Sequence, residues 1–327
     1  MNIKRYINPE EICDQIKNGN ITALSKAITL SESNIDSDQE LANKILAKLK
    51  TKNNDSIRIG ITGVPGAGKS TFIESFGKHI TNLGLKLAVL TIDPSSSVTK
   101  GSILGDKTRM ETLSTNKNVF IRPSPASNFQ GGVGKNTRES IFLCESAGYD
   151  IILIETVGVG QNEINVAEMV DFFLLLKISG SGDELQGIKR GIIEMSDLIA
   201  INKCDGDNVK DSIKAKNEFK LALQLFPKKK SNWKPQVLTC SSLTGEGLAE
   251  IWECITNYVN LTKKNNYFYE NRINQNKSWL LQIIDYSLRK SFFNRKSIKI
   301  KLNNLIKKIE EQKISIFEAS RKILSDI

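Results

Sequence analysis

Histidine is almost missing from this chain of 327 residues: His79 stands alone. A multi-histidine metal site is therefore excluded, as is any Ser–His or Cys–His relay not built on His79. His79 itself falls in a helix-like pattern and reads as structural. Cysteine is scarce too, with Cys13, Cys144, Cys204, Cys240 and Cys254 making five. The number is odd and no pair is spaced C-x-x-C, which argues against a disulfide framework or a structural zinc. No apolar run approaches the roughly 18 residues of a membrane span, and residues 1–9 lack an apolar core of signal-peptide length. The expected address is the cytoplasm, with no membrane partner.

What is present is ordinary for a globular chain: 39% hydrophobic and 25% charged residues, a balance foreign to disordered, collagenous or coiled-coil sequences. The net charge is +10. Most of it lies after residue 262, where 15 basic residues face 6 acidic ones. No repeated arginine–aromatic pattern accompanies them, so the tail reads as a solvated helical face and no nucleic-acid partner is expected.

Three regions separate. Residues 1–50 read as short helices. Pro9, Glu10 and Glu11 suit a first turn and Gly19 a stop, while Ser37 and Asp38 would cap a second helix through Lys50. Residues 51–55 form a polar linker. From 56 to 262, apolar strands at 57–62, 87–92, 119–122, 151–155, 172–176, 198–202 and 237–240 alternate with helical patterns. Such runs fit strands buried on both faces of a mainly parallel sheet in an α/β fold. Residues 265–277, rich in Asn, read as a hinge or a surface helix end. Helical patterns follow from Ser278 and again over 298–324.

The chemistry gathers where those strands end. Gly63, Val64, Pro65, Gly66, Ala67, Gly68, Lys69, Ser70 and Thr71 match G-x-x-x-x-G-K-[ST] between a strand and a helix. Glycines let backbone N–H groups curl around phosphates, Lys69 would reach the β- and γ-phosphates, and Ser70 would give its hydroxyl oxygen to Mg²⁺. Asn202, Lys203 and Asp205 form N-K-x-D after the apolar strand 198–202. A carboxylate at Asp205 accepts from both guanine N1–H and its exocyclic amine. Adenine would leave it unpaired, and a mismatch of that kind discriminates by roughly 10⁴-fold. Ser241, Ser242 and Leu243 suit the backbone loop that meets the guanine oxygen.

Glu155 ends the strand 151–155, with Gly158 three residues on, in the place of a D-x-x-G motif. Glu155 would hold Mg²⁺, and the Gly158 N–H would sense the γ-phosphate. Asp93 and Asp106 are further candidates for the metal's oxygen shell. No catalytic base is evident: Val159 follows Gly158 where some GTPases carry Gln, and Gln161 lies two residues further. Phosphoryl transfer relies on positioning and charge stabilisation, so slow intrinsic turnover is expected, with Lys69, Glu155 and Gly158 as the catalytic set. Lys100, Lys107, Arg109, Arg138, Lys189 and Arg190 are unranked candidates to stabilise the transition state. Segments 94–101, 124–135 and 179–191 are placed to act as nucleotide-sensitive loops.

Together these residues resemble the MeaB/ArgK family of P-loop GTPases, also called methylmalonyl-CoA mutase-associated GTPases. The likeness spans roughly residues 20–262 and is carried by 63–71, 93–97, 104–110, 122–125, 131–133, 155–161, 182–191 and 202–205. The resemblance implies a P-loop NTPase sheet with N- and C-terminal helical extensions, divided as 1–50, 51–262 and 263–327. The last region would serve dimerisation of a homodimer. It implies GTP as substrate, Mg²⁺, and a chaperone role for an adenosylcobalamin-dependent acyl-CoA mutase, gating cofactor loading and protecting the mutase. Lys69 and Ser70 then take phosphate and metal roles, Asp93, Asp106 and Glu155 surround the metal, and 182–191 couples nucleotide state to the mutase. A kinase catalytic loop is not evident. Two other readings stay open: a metal-insertion GTPase, for which one His and scattered Cys are poor ligands, and a guanine-nucleotide binding module with negligible hydrolysis.

Overall fold

The computed structural model describes residues 8–49, 55–93, 110–125, 132–156, 162–180 and 190–325. Seven strands form one sheet: β1 (Ile57–Gly63), β2 (Leu87–Asp93), β3 (Val119–Pro125), β4 (Ile151–Thr156), β5 (Phe172–Ile178), β6 (Leu198–Asn202) and β7 (Gln236–Thr239). Their order is β3-β2-β4-β1-β5-β6-β7, and every pairing is parallel. The expected strands are all there. β3 runs three residues further than its apolar run, carried by the β2 ladder that pairs Asp93 with Pro125.

The apolar runs are continuous because each strand feeds two cores. Along β4, Ile151 and Leu153 join a cluster with Phe72, Phe76, Ile251 and Ile255. Those residues belong to α4 (Lys69–Asn82) and α10 (Leu248–Lys264). Ile152 and Ile154 point the other way, into a cluster with Leu24, Ile28, Ile45 and Ile141. This alternation is the period of a pleated strand, here with both faces covered by helices.

The N-terminal residues form three helices, α1 (Pro9–Lys17), α2 (Ile21–Glu32) and α3 (Asp36–Lys48). Asn8 and Asn20 cap the first two, accepting from the Glu10 and Ala23 N–H groups at 3.0 Å each. The third departs from expectation. It starts at Asp36 with no side-chain cap, so Ser37 and Asp38 lie inside its first turn. Asp38 instead takes the Ser33 hydroxyl at 2.8 Å.

The chain divides into two compact units, residues 1–275 and 276–327. The Asn-rich stretch is helical: α11 (Tyr267–Asn294) starts straight after Asn266, whose φ is 65°, and its first residues belong to the first unit. Tertiary partners hold it there. Phe268 is buried, Arg272 reaches Asp171 at 2.6 Å and Gln275 donates to the Val170 carbonyl at 2.7 Å. In the second unit, α12 (Lys296–Glu310) and α13 (Ile316–Leu324) bury Ile298, Leu305, Ala319 and Ile323 against one another. The pattern over 298–324 is thus two helices. Among the described residues no helix is long and apolar enough to cross a membrane.

Candidate functional site

The motifs meet along the carboxyl edge of the sheet, where ligands bind in folds of this kind. β1 ends at Gly63, and the loop 64–68 leads into α4. Gly63 has no room for a side chain: a Cβ there would lie 2.3 Å from the Leu176 carbonyl oxygen of β5. Gly66 and Gly68 take left-handed φ values of 83° and 84°, a region open to glycine at little cost. Between them Ala67 is fully buried and closes a tight turn by donating its N–H to the Val64 carbonyl at 3.1 Å. Pro65 is exposed on the loop. Lys69, Ser70 and Thr71 form the first turn of α4, whose free N–H groups and positive end suit phosphate oxygens.

The Lys69 ammonium donates to the Gly63 carbonyl at 2.8 Å and to that of Val64 at 3.4 Å. Burial pulls its pKa below the ordinary lysine value, while the carboxylates of Glu155 and Glu163 act in the opposite sense. Glu155 sits on β4 between Ile61 of β1 and Thr91 of β2 and is 7% exposed. Asp93 closes β2 two residues beyond that register, so its backbone lies at the same edge. Asp106, Gly158 and the segment 182–189 lie outside the described residues, as do Lys100, Lys107, Arg109 and Lys189. Arg138 is engaged elsewhere, donating to the Glu168 carbonyl at 3.2 Å.

The guanine motif is joined to the phosphate loop through one amide. Asn202 donates from Nδ2 to the Ala67 carbonyl at 2.9 Å. Its Oδ1 accepts from the Ser242 N–H at 3.1 Å, the Ser242 hydroxyl at 2.7 Å and the Cys240 thiol at 3.7 Å. Three loops, from β1, β6 and the end of β7, are thereby held in one geometry. Lys203 follows with φ 60°, and Asn208 fixes that bend by donating to the Lys203 carbonyl at 2.8 Å. Asp205 accepts the Ser241 hydroxyl, which orients the carboxylate. The same Ser241 oxygen receives the Leu243 and Thr244 N–H groups at 3.2 and 3.1 Å, so Leu243 stands exposed at the tip of a closed turn.

Two contributors escaped the motif reading. Ser75 on α4 donates to the Ser242 carbonyl at 2.5 Å, bracing the third loop; nothing in a serine six residues after Lys69 signals it. Glu163 opens α7 (Asn162–Ala167) and is 3% exposed. A carboxylate in a short helix gives no sequence cue to burial.

A parallel sheet with this loop, this lysine and this Asn–Asp pair defines a P-loop GTPase. The chain belongs to the family described as methylmalonyl Co-A mutase-associated GTPase MeaB, whose model matches residues 24–297. It is 46% identical to GTPase ArgK of Escherichia coli over 266 residues, 81% of this chain and 80% of that one. It is 43% identical over 301 residues to the mitochondrial methylmalonic aciduria type A homolog of Mus musculus, covering 89% of this chain and 72% of that one. A solved structure described as LAO/AO transport system kinase superposes with a TM-score of 0.75 at 34% identity, over 98% of both chains.

Proposed function

We propose that this GTPase is a Mg²⁺-dependent chaperone for an adenosylcobalamin-dependent acyl-CoA mutase of the methylmalonyl-CoA mutase type, gating cofactor loading and protecting the mutase from inactivation. The observation that carries the reading is the family match across residues 24–297, a family described by its association with that mutase. The name of the murine relative points the same way.

Within this reading, residues 63–71 cradle the phosphates and Asn202, Lys203, Asp205, Ser241, Ser242 and Leu243 hold the guanine. Ser70 and Glu155 offer oxygens to Mg²⁺, joined by Asp93 and Asp106. The donor chemistry fits the ion. Glu155 is a buried carboxylate at the strand end. Mg²⁺ takes an octahedron of oxygens that phosphates and water help to fill, so these side chains would hold it directly or through water. When bound it neutralises charge on the β- and γ-oxygens. Lys69 then supplies a fixed positive charge, and Asn202 keeps the base and phosphate loops in register. Residues 51–262 form the GTPase domain, 1–50 and 263–327 are helical extensions, and the last supports a cytoplasmic homodimer.

The test is GTP turnover by the purified protein, alone and with a purified adenosylcobalamin-dependent acyl-CoA mutase. Slow basal turnover with stimulation by the mutase, and a complex on size exclusion, is the expected result. Equal turnover with and without mutase, and no complex, overturns the chaperone role while leaving the GTPase in place.

A further inference from the structure

Lys203 carries a backbone bend that its residue type does not favour. Its φ of 60° lies in the left-handed region, which a residue with a long side chain occupies only where its surroundings impose it. The peptide that leaves it is pinned on both edges. The Cys204 N–H donates to the Cys240 carbonyl at 3.0 Å, and the Lys203 carbonyl accepts from Asn208 Nδ2 at 2.8 Å. The bend directs the side chain. Lys203 Cε lies 3.9 Å from where a Cβ on Gly68 would stand, and Asn202 Nδ2 lies 2.8 Å from the same point. The methylene stem thus runs from the base motif towards the phosphate loop, where it can cover one face of a guanine.

Asn208 holds the bend, and it does so against its ordinary use. It stands at the cap position of α9 (Val209–Leu223), where an asparagine side chain normally accepts from a first-turn N–H. Here it makes no such bond. Its Nδ2 serves Lys203, and its Oδ1 accepts the Ser179 hydroxyl at 2.8 Å. The Lys203 carbonyl can only accept, so the amide has one orientation and the serine donates. Ser179 directly follows β5 and is 9% exposed. Its oxygen lies 3.4 Å from that of the buried Ser212 on α9. Two hydrogen bonds therefore connect the exit of β5 to the residue whose stem faces the base site.

We propose that Asn208 is a positioning residue for guanine-nucleotide retention: held by Ser179, it keeps Lys203 bent over the base site and so slows GDP release. The proposal rests on reading Asn202, Lys203 and Asp205 as the guanine site. A lysine whose backbone is already bent has less freedom to lose when its stem packs on the base. Released from Asn208, Lys203 can return to the right-handed or extended backbone that a lysine prefers, and the stem leaves the base uncovered. The effect belongs mainly to dissociation, as changes within one interface generally do.

The test compares wild type, Asn208→Ala, Ser179→Ala, Ser179→Thr, the double variant with both alanines and Asp205→Asn. It reads release of a fluorescent GDP analogue and thermal unfolding without nucleotide. Release should quicken about tenfold in Asn208→Ala and about threefold in Ser179→Ala, with unfolding within about 2 °C of wild type. Ser179→Thr, which keeps the hydroxyl, should lie closer to wild type than Ser179→Ala does. Because the two residues act in series, the double variant should release no faster than Asn208→Ala alone. A wild-type release rate in either single alanine variant overturns the proposal. So do effects that multiply in the double variant, and so does fast release joined to a large fall in unfolding temperature, the mark of a merely structural role. Should Asn208→Ala not fold, the two Ser179 variants carry the decision: faster release restored by the hydroxyl supports the proposal, and equal rates overturn it. Asp205→Asn separates the two readings. If it binds GDP like wild type, the base site has been misplaced and the proposal falls with it. If it loses GDP while Asn208→Ala releases GDP at the wild-type rate, Asn208 alone is refuted.

Discussion

Truncating Asn202 to alanine should cost both stability and nucleotide affinity, in amounts that the hydrogen-bond geometry sets. Asn202 is 1% exposed and serves the Ala67 carbonyl, the Ser242 N–H and the Ser242 hydroxyl. The hydroxyl can rotate to another acceptor; the two backbone groups cannot move without their loops. Each buried backbone group left unsatisfied costs about 1–3 kcal/mol, so Asn202→Ala carries a penalty of roughly 2–6 kcal/mol, a sizeable part of the about 5–15 kcal/mol that stabilises a domain. The loops can relieve part of this by drifting apart, and the relief then appears as lost affinity: about 1.4 kcal/mol for each tenfold. Urea denaturation of the nucleotide-free protein and titration with a fluorescent GDP analogue read the two shares. GDP affinity should fall by about ten- to a hundredfold, with the remainder lost from the unfolding free energy. Asn202→Asp is the informative companion. It keeps an acceptor for Ser242 but sets an oxygen against the Ala67 carbonyl oxygen, so it should weaken GDP binding at least as much as alanine does. If Asn202→Ala changes affinity by less than about twofold and unfolding by less than about 0.5 kcal/mol, the tie between the loops has no energetic meaning.

Asp205→Asn should exchange an acceptor for a donor, lowering affinity for GDP and raising it for xanthosine diphosphate; unchanged GDP binding would place the guanine elsewhere. Arg272→Ala should destabilise by about 3–5 kcal/mol, since Asp171 and Glu145 would remain buried with one guanidinium fewer. A denaturation shift under about 1 kcal/mol would refute that. Gly63→Ala should abolish GTP binding, because the added carbon meets the β5 backbone at 2.3 Å; a variant of wild-type affinity would show that β1 and β5 can part freely. Glu139 carries a pH prediction. Burial lifts its carboxyl from 4.5 to about 7 against the pull of Lys135. The folded state therefore binds more protons than the unfolded one between those values, and its stability falls as pH rises through them. Glu139→Gln should remove that dependence, becoming less destabilising, relative to wild type, from pH 5 to pH 8 by roughly 2–3 kcal/mol. A pH-independent difference between the two proteins would rule the titration out.

Much of this molecule is local in origin, and therefore legible. Strands buried on both faces advertise themselves as apolar runs, and β1, β2, β4, β5 and β6 begin where those runs begin. The stretch 265–277 reads only as a hinge or a surface helix end, for the complementary reason, although it is helical from Tyr267. Its residues are polar and Asn-rich, and it is held by Phe268, Arg272 and Gln275 finding partners around Ser56, Val170 and Asp171. The start of α3 misled because Ser37 and Asp38 have capping chemistry, yet Asp38 is occupied by Ser33.

The sequence by itself determined the α/β class, the phosphate loop and the guanine motif, because each is a contiguous run whose residue types satisfy nearby backbone and ligand atoms. Only the tertiary structure decided the strand order, the embedding of the N-terminal helices in the sheet's second core, and the meeting of Asn202 with Ala67, 135 residues apart in sequence. It also decided that Glu163, on a short helix, would be buried. These features depend on which surfaces close against one another, a choice made by the summed packing of two cores and one that no single segment encodes.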